Sequence, residues 1–569
     1  MANRPQSRLS ALLFFLTVLS CNALPAVNAV TASRGADPAV DYAALARIAP
    51  WDDRNYQLTQ ADVALLSPDE SSADDLVPAF FRVELRRANP ELPTSGEAQY
   101  PRSAFQRFKQ KYYGYLINGR VYSELRLDDN GDFEVVLERG KTEKQYLKAL
   151  LATEIRINSP EHGDAESAIA INPLNTQRVI AGTNGGAGGQ SMWYSANGGS
   201  SWTRASNLTG ANICCDPTVA WSGTAAIAYT ATLGNGVYVY RSIDNGQSWG
   251  TNVVVPTTNG SVDKEYLHVD TQPLSPHFEK VYICWHLSNV QKFSRSTDLG
   301  LTFSTPLTFT GNPTGIGCDL TSDSSGSVYY FYPATDTRQI ILKKSTDGGA
   351  SFATPVVVAT TQGSFDFPIP AMPVRRVFMY TSADVDLSQS SFRNTIYVAY
   401  TDSTALDVNT DPTANHARVQ VAYSRDGGAQ WTVRTPHAIA DANTVDRFHP
   451  WLKVDNNGRV HVVFYDTRNS AAGTRTGVDF YYSYSETGGD TWSAPTRLTT
   501  LNMLPATDGF EWGDYNGMDM QLTKALGIYT DRRDEADGQG LTVDAYATDA
   551  FAVIGALPAA NGVFANGFE

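Results

Sequence analysis

The ionisable side chains of this chain gather in short runs at the ends of predicted strands, a distribution suited to acid–base chemistry or ligand capture. One series opens strands: Asp216, Asp263-Lys264-Glu265, Asp319, Asp446-Arg447 with His449, and Asp514-Tyr515. A second series closes the strands that follow: His286, Asp402, Asp466 with Arg468, and Asp531 with Arg532. Carboxyl groups give or take protons, arginine grips carboxylates through a planar fork, and imidazole or phenol moves a proton when its neighbours tune it. The bland alternative is a solvated rim of mutually paired Asp and Arg. If the fold brings these charges to one opening, the crowding is costly without partners, ligand or water. The set as a whole therefore reads as a ligand site.

A repeat supplies the means of gathering them. Six segments share the frame Ser-x-Asp-x-Gly-x-x-aromatic, starting at Ser195, Ser242, Ser296, Ser345, Ser424 and Ser485. The starts recur about every 50 residues, with a longer stretch between Ser345 and Ser424, as four-stranded propeller blades with insertions would produce. The frame suits a hairpin between the third and fourth strands of a blade. Gly246 and Gly349 can take positive φ, the Asp carboxylate can accept loop N–H groups, and the terminal aromatic packs back between sheets. Asp244, Asp298, Asp347 and Asp426 hold the Asp position, with Asn197 and Thr487 in the first and last copies.

Strand pairs precede every frame, and one more pair, 517–522 with 525–529, follows the last. The expected fold is mainly β: a seven-bladed propeller over 156–550, six blades being the alternative count. A strand from near residue 155 would close the ring. In such a blade the frames fall on the bottom face, and both polar series fall on the top.

Residues 30–155 have a different grammar, that of a small α+β domain. Phe105, Phe108 and Tyr112 fit one amphipathic helix, and Thr142 with Gln145 caps a second carrying Leu147, Leu150 and Leu151. Turns at Asn118-Gly119 and Asp129-Asn130-Gly131 predict a three-stranded meander. Residues 551–569 form a tail.

The N-terminus reads as an export signal over 1–29, with Arg4 and Arg8 ahead of an apolar run too short to span a bilayer. Cleavage after Val27-Asn28-Ala29 gives a secreted protein; a lipobox ending at Cys21 gives the lipid-anchored alternative. The four remaining cysteines then sit in an oxidising compartment. Cys284 ends a second strand and Cys318 starts the next inner strand, so a bridge between them is expected. Cys214 and Cys215 are left as a vicinal disulfide or as free thiols. A formal charge of −15 argues against nucleic acid as partner. No cofactor is expected, although the acidic channel has room for a cation.

The repeated frame resembles the Asp-box, or bacterial neuraminidase repeat, of sialidases and related propellers, over roughly residues 160–550. Glu166 to Pro173 (ESAIAINP), Asp263 to Tyr266 (DKEY), Asp466-Thr467-Arg468 and Gly513 to Gly517 (GDYNG) extend the resemblance to exported sialidase-like proteins. For members that cleave sialosides, it implies a Tyr nucleophile paired with a Glu, a role for Tyr515 and Glu265. A phenol is a weak nucleophile unless a carboxylate takes its proton, so the pairing makes chemical sense. Asp216 or Asp263 would be the general acid. Arg447, Arg468 and Arg532, with His449, His286 and Asp514, would line the substrate site. Ile155-Arg156-Ile157-Asn158 keeps the Arg and Ile of the family's Phe-Arg-Ile-Pro motif but not its Phe or Pro.

The implied function is action on, or binding of, extracellular glycans at the top-face mouth, as a glycoside hydrolase if an enzyme. A non-catalytic glycan- or protein-binding module is the first alternative. A polysaccharide lyase using His449, Tyr515 and Arg447 is the second.

Overall fold

The computed structural model describes short strands between 115 and 136, residues 153–157, residues 164–531 apart from brief gaps, and 549–556. The chain divides into two compact units, 1–147 and 148–569. The signal segment, both helices expected in the first unit, Arg532 and the tail beyond 556 lie outside the described residues.

In the first unit, Tyr115–Ile117 pairs with Arg120–Tyr122 across Asn118-Gly119, as that dipeptide predicts. Glu124–Leu127 pairs with Phe133–Val136 across the second turn. Among the described residues these are two separate two-stranded sheets, where a three-stranded meander was expected.

The second unit is a β-propeller. Its described residues hold seven four-stranded antiparallel sheets, numbered here in chain order by their inner strands. Those strands are Asp164–Ile171, Thr218–Trp221, Val262–Val269, Asp319–Ser322, Thr381–Val385, Arg447–Val454 and Gly517–Gln521. Inner strands of successive sheets run side by side, and that of sheet seven meets that of sheet one. Thr153–Arg156 forms the outermost strand of sheet seven, so the two ends of the unit share one sheet.

Burial explains the strand sequences. Second strands such as Val281–Leu287 and Val460–Asp466 are packed on both faces by neighbouring sheets and read as nearly unbroken apolar runs. Outermost strands such as Thr203–Arg204 are two exposed residues long. Side chains also staple sheet to sheet. Asp319 accepts the Ala383 amide (2.5 Å), Asp384 that of Val454 (2.9 Å), and Asp519 that of Ile171 (2.6 Å). Asp319, expected at the mouth, is thus a strut.

Register separates the two ends of every sheet. In sheet three, Asp263 pairs with His286 at one end and Val281 with Ser296 at the other. All six Ser-x-Asp hairpins therefore lie at the end opposite the inner-strand starts. Each is built alike: Gly246 N donates to Ser242 Oγ (2.9 Å), and Ser248 N donates to Asp244 Oδ1 (3.0 Å). Asn197 and Thr487 accept the corresponding amides in the first and last copies, so neither replacement loses the turn.

Candidate functional site

Three inner strands carry the same device near their starts. Pairing slips past Glu166-Ser167 in sheet one, Lys264-Glu265 in sheet three and His449-Pro450 in sheet six. The first residue of each bulge is left-handed, with φ of 50°, 44° and 48°. Asp216, just ahead of the inner strand of sheet two, has φ 57°. A bulge re-aims side chains, and non-glycine residues held at positive φ are uncommon and concentrate at functional sites.

These positions, with Asp514 and Tyr515 from sheet seven, form a carboxylate-rich cluster. The Tyr515 hydroxyl donates to Asp216 Oδ1 (3.4 Å), and the Lys264 amide donates to Asp216 Oδ2 (3.3 Å). The Lys264 ammonium lies 3.2 Å from the centroid of the Tyr515 ring, a close cation–π contact. Glu265 is fully buried and neither carboxyl oxygen has a hydrogen-bond partner. Burial first, then the Asp216 charge, raises its carboxyl well above the ordinary range. Asp263 differs in keeping 54% of its side chain exposed. Partial desolvation, then the adjacent Asp216, pushes its carboxyl up to about 7.

His286 sits across from Asp263, Nε2 to Oδ2 3.8 Å, with Nδ1 against the Ser288 carbonyl (2.6 Å). His449 is buried with both ring nitrogens unpartnered. Burial, then nearby Arg375, pulls it down to about 3, so the ring is neutral.

Sequence reasoning did not single out Arg375. It belongs to a hairpin, Asp366–Ile369 with Met372–Phe378, inserted between sheets four and five. The hairpin buries Phe367, Ile369, Met372 and Val377 against residues of sheets five, six and seven. Trp512 Nε1 donates to the Ala371 carbonyl (3.1 Å), and Glu511 accepts the Val374 (2.9 Å) and Arg375 (3.2 Å) amides. So anchored, Arg375 reaches across to form ion pairs with Glu166 and Asp514. Gly513 makes room: it has φ 69°, and a Cβ there would meet Glu166 at 3.0 Å. The one available signal was the long Ser345-to-Ser424 interval, which marked an insertion without showing where its tip would land.

Arg447 and Arg468 do not join the cluster. Arg447 is buried and bound by Asp466 (2.7 Å) and Asp441 (2.6 Å), while Arg468 is bound by the same Asp466 (2.6 Å). Their side chains follow the bland reading of paired Asp and Arg. Asp402 is also a strut, accepting the Gln362 (2.9 Å) and Gly363 (3.0 Å) amides where the insertion begins. Arg156 lies on the outermost strand of sheet seven.

Cys284 and Cys318 are disulfide-bonded, and so are Cys214 and Cys215. No described helix is long and apolar enough to cross a membrane. No group of three or more His, Cys, Asp or Glu among the described residues has the arrangement of a metal site.

A family model described as a domain of unknown function (DUF8300) matches residues 41–126. No curated protein matches the chain. Among solved structures, a protein of unknown function from Dyadobacter fermentans is 14% identical, covering 59% of this chain and 97% of that one, with TM-score 0.38. The alpha-L-arabinofuranosidase Arb93A from Fusarium graminearum is 9% identical over 72% of this chain and 98% of that one, with TM-score 0.39. A mutant NanB sialidase from Streptococcus pneumoniae is 10% identical over 58% and 70%, with TM-score 0.39.

Proposed function

We propose that the chain is an exported propeller of the Asp-box type, its seven sheets serving as blades, that hydrolyses glycosidic bonds of extracellular glycans at this mouth. The observation that carries the reading is the Asp216–Asp263 pair. Asp263 holds a proton to about pH 7 and faces solvent, while Asp216 receives the Tyr515 hydroxyl. A leaving glycosidic oxygen needs such an acid, and a phenol nucleophile needs such a base.

In the first step Tyr515 Oη attacks the anomeric carbon as Asp216 takes its proton. The bond to the leaving oxygen breaks as Asp263 protonates that oxygen. Water then displaces Tyr515 from the anomeric carbon, giving one proton to Asp263 while Asp216 returns the phenol proton. Glu265 shares no hydrogen bond with Tyr515, so the base role falls to Asp216. Burial first, then Asp216, Glu166 and Glu265, raises the Tyr515 phenol well above its ordinary value.

Charge selects the substrate class. Arg375 already pairs with two carboxyl groups, Glu166 and Asp514, and the Lys264 ammonium is stacked on the Tyr515 ring. This favours neutral sugars over sialic or uronic acids, whose carboxylates need a guanidinium to themselves. The direct test screens neutral aryl glycosides, sialosides and uronate polysaccharides. Turnover of a neutral glycoside, lost in both Asp263→Asn and Tyr515→Phe, supports the reading. Turnover surviving both changes overturns it, and saturable binding without turnover replaces it with the binding module.

A further inference from the structure

We infer that the Cys214–Cys215 disulfide is a positioning device for Asp216, holding its side chain between Tyr515 and Asp263. The geometric claim stands apart from the hydrolytic reading; only its effect on turnover rests on that reading.

The two disulfides have different physical consequences. Cys284–Cys318 closes a loop of 34 residues and restrains the unfolded chain substantially. Cys214–Cys215 joins neighbours and removes almost no loop entropy, so stabilising the whole fold is not what it contributes. Its effect is local, and what it adjoins is Asp216.

Asp216 has a demanding backbone. Its φ of 57° is left-handed, which L-residues other than Gly visit at a cost, and it precedes Pro217, which drives its neighbour toward extended conformations. A residue in that state persists only where its surroundings over-determine it. On the C-terminal side Pro217 packs so tightly on Gly182 that a Cβ there would come within 2.7 Å. On the N-terminal side Cys214 N donates to the Leu233 carbonyl (2.9 Å), and the Cys215 carbonyl accepts Leu233 N (3.2 Å) and Thr232 Oγ1 (3.2 Å). The disulfide links these two clamped residues into one small ring. Breaking it restores torsional freedom at the residue next to Asp216.

The charged and titratable groups facing this pair are known. Asp216 meets Tyr515 and the Lys264 amide, while Glu166, Glu265, Asp514, Tyr380, His286 and the Arg375 guanidinium lie within electrostatic range. Asp263 is raised by Asp216 and Asp514 and faces His286. A displaced Asp216 would therefore be read directly in the titration of Asp263.

Cys214 and Cys215 are half-buried, whereas Cys284 and Cys318 are buried. Brief treatment of the native protein with a phosphine should therefore reduce the vicinal bond selectively, the phosphine becoming its oxide as water supplies oxygen and the thiol protons. Peptide mapping verifies which bond opened. The Asp263 carboxyl, followed by NMR of 13C-aspartate protein, is expected to fall from about 7 toward the ordinary carboxyl range. The thermal midpoint should move by only a few degrees, and reoxidation should restore the titration. The Cys214→Ser/Cys215→Ser variant should behave like the reduced protein. Turnover of the glycoside found by the screen should drop at least tenfold in kcat with KM little changed. An Asp263 midpoint that stays near 7 after reduction overturns the inference, whatever happens to activity. A midpoint that falls in a protein turning over no glycoside upholds the positioning role and removes the hydrolytic reading instead.

Discussion

The Ser-x-Asp hairpins and the carboxylate cluster at the opposite end use acidic side chains in opposite ways. At the hairpin end Asp426 is exposed; the Gln430 amide first, then the Ser424 hydroxyl, hold its carboxyl below the ordinary range. Asp347 and Asp298 are held low in the same manner, hydrogen bonds outweighing slight desolvation. At the mouth, Glu166, Asp263, Glu265 and Asp514 are all pushed up, with desolvation the largest cause and neighbouring carboxyl groups adding to it. One residue class thus builds turns where donors surround it and stores protons where carboxyl groups surround each other. The chemistry follows from the environment, not from the residue type.

The largest expected effect that would break this contrast is on turnover. Asp263→Asn should lower kcat by about 100-fold or more, the usual scale of a lost general acid, with a folded circular-dichroism spectrum. Asp426→Asn, the same change at the other end, should leave kcat within twofold. Equal losses at the two sites would erase the distinction.

Next in size is Arg375→Met. It leaves Glu166 and Asp514 facing each other without their shared cation, and breaking such a buried pair typically costs about 3–5 kcal/mol. Urea unfolding measures the loss, which should shrink at low pH as both carboxyl groups protonate. A loss that grows on acidification would contradict the electrostatic account. Asp347→Ala should cost less, about 1–2 kcal/mol for hydrogen bonds to an exposed carboxylate, with no change in ligand binding.

The smallest effect is in the pH dependence of stability, and its sign differs between the two ends. Asp426 has a lowered folded value, so its stabilisation is present above about pH 4, the unfolded value, and is lost as pH falls through the folded one. Asp263 has a raised folded value, so the folded state binds more protons between about pH 4 and 7. Its contribution to stability declines as pH rises across that window and then levels off. Thermal midpoints from pH 4 to 8 should fall less steeply in Asp263→Asn than in the parent. An unchanged slope would mean that Asp263 titrates normally.

Most of the scaffold was legible because its signals are local. Six copies of the Ser-x-Asp frame specify their own hairpins through amides within four residues, and alternation in strand pairs fixes which end those hairpins occupy. The Cys284–Cys318 bridge followed from the same map. Part of the candidate site was legible too: Asp216, Asp263, Glu265, Asp514 and Tyr515 were all read as strand starts and lie near one another. What was not legible depends on distant approach. Arg375 meets Glu166 from 209 residues away, across a hairpin whose landing place no local pattern encodes. Arg447 and Arg468 look like mouth arginines in sequence, and only Asp441 and Asp466 closing around them make them struts. The left-handed bulges at Glu166, Lys264 and His449 left no glycine signature, since ordinary residues hold them.

The most direct measurement is the ionisation of Asp263 itself in the folded, oxidised protein, with and without Asp216→Asn. A midpoint near 7 that drops by at least one pH unit in the variant is the expected result. A parent midpoint near 4, in the ordinary carboxyl range, would mean that Asp263 holds no proton at neutral pH.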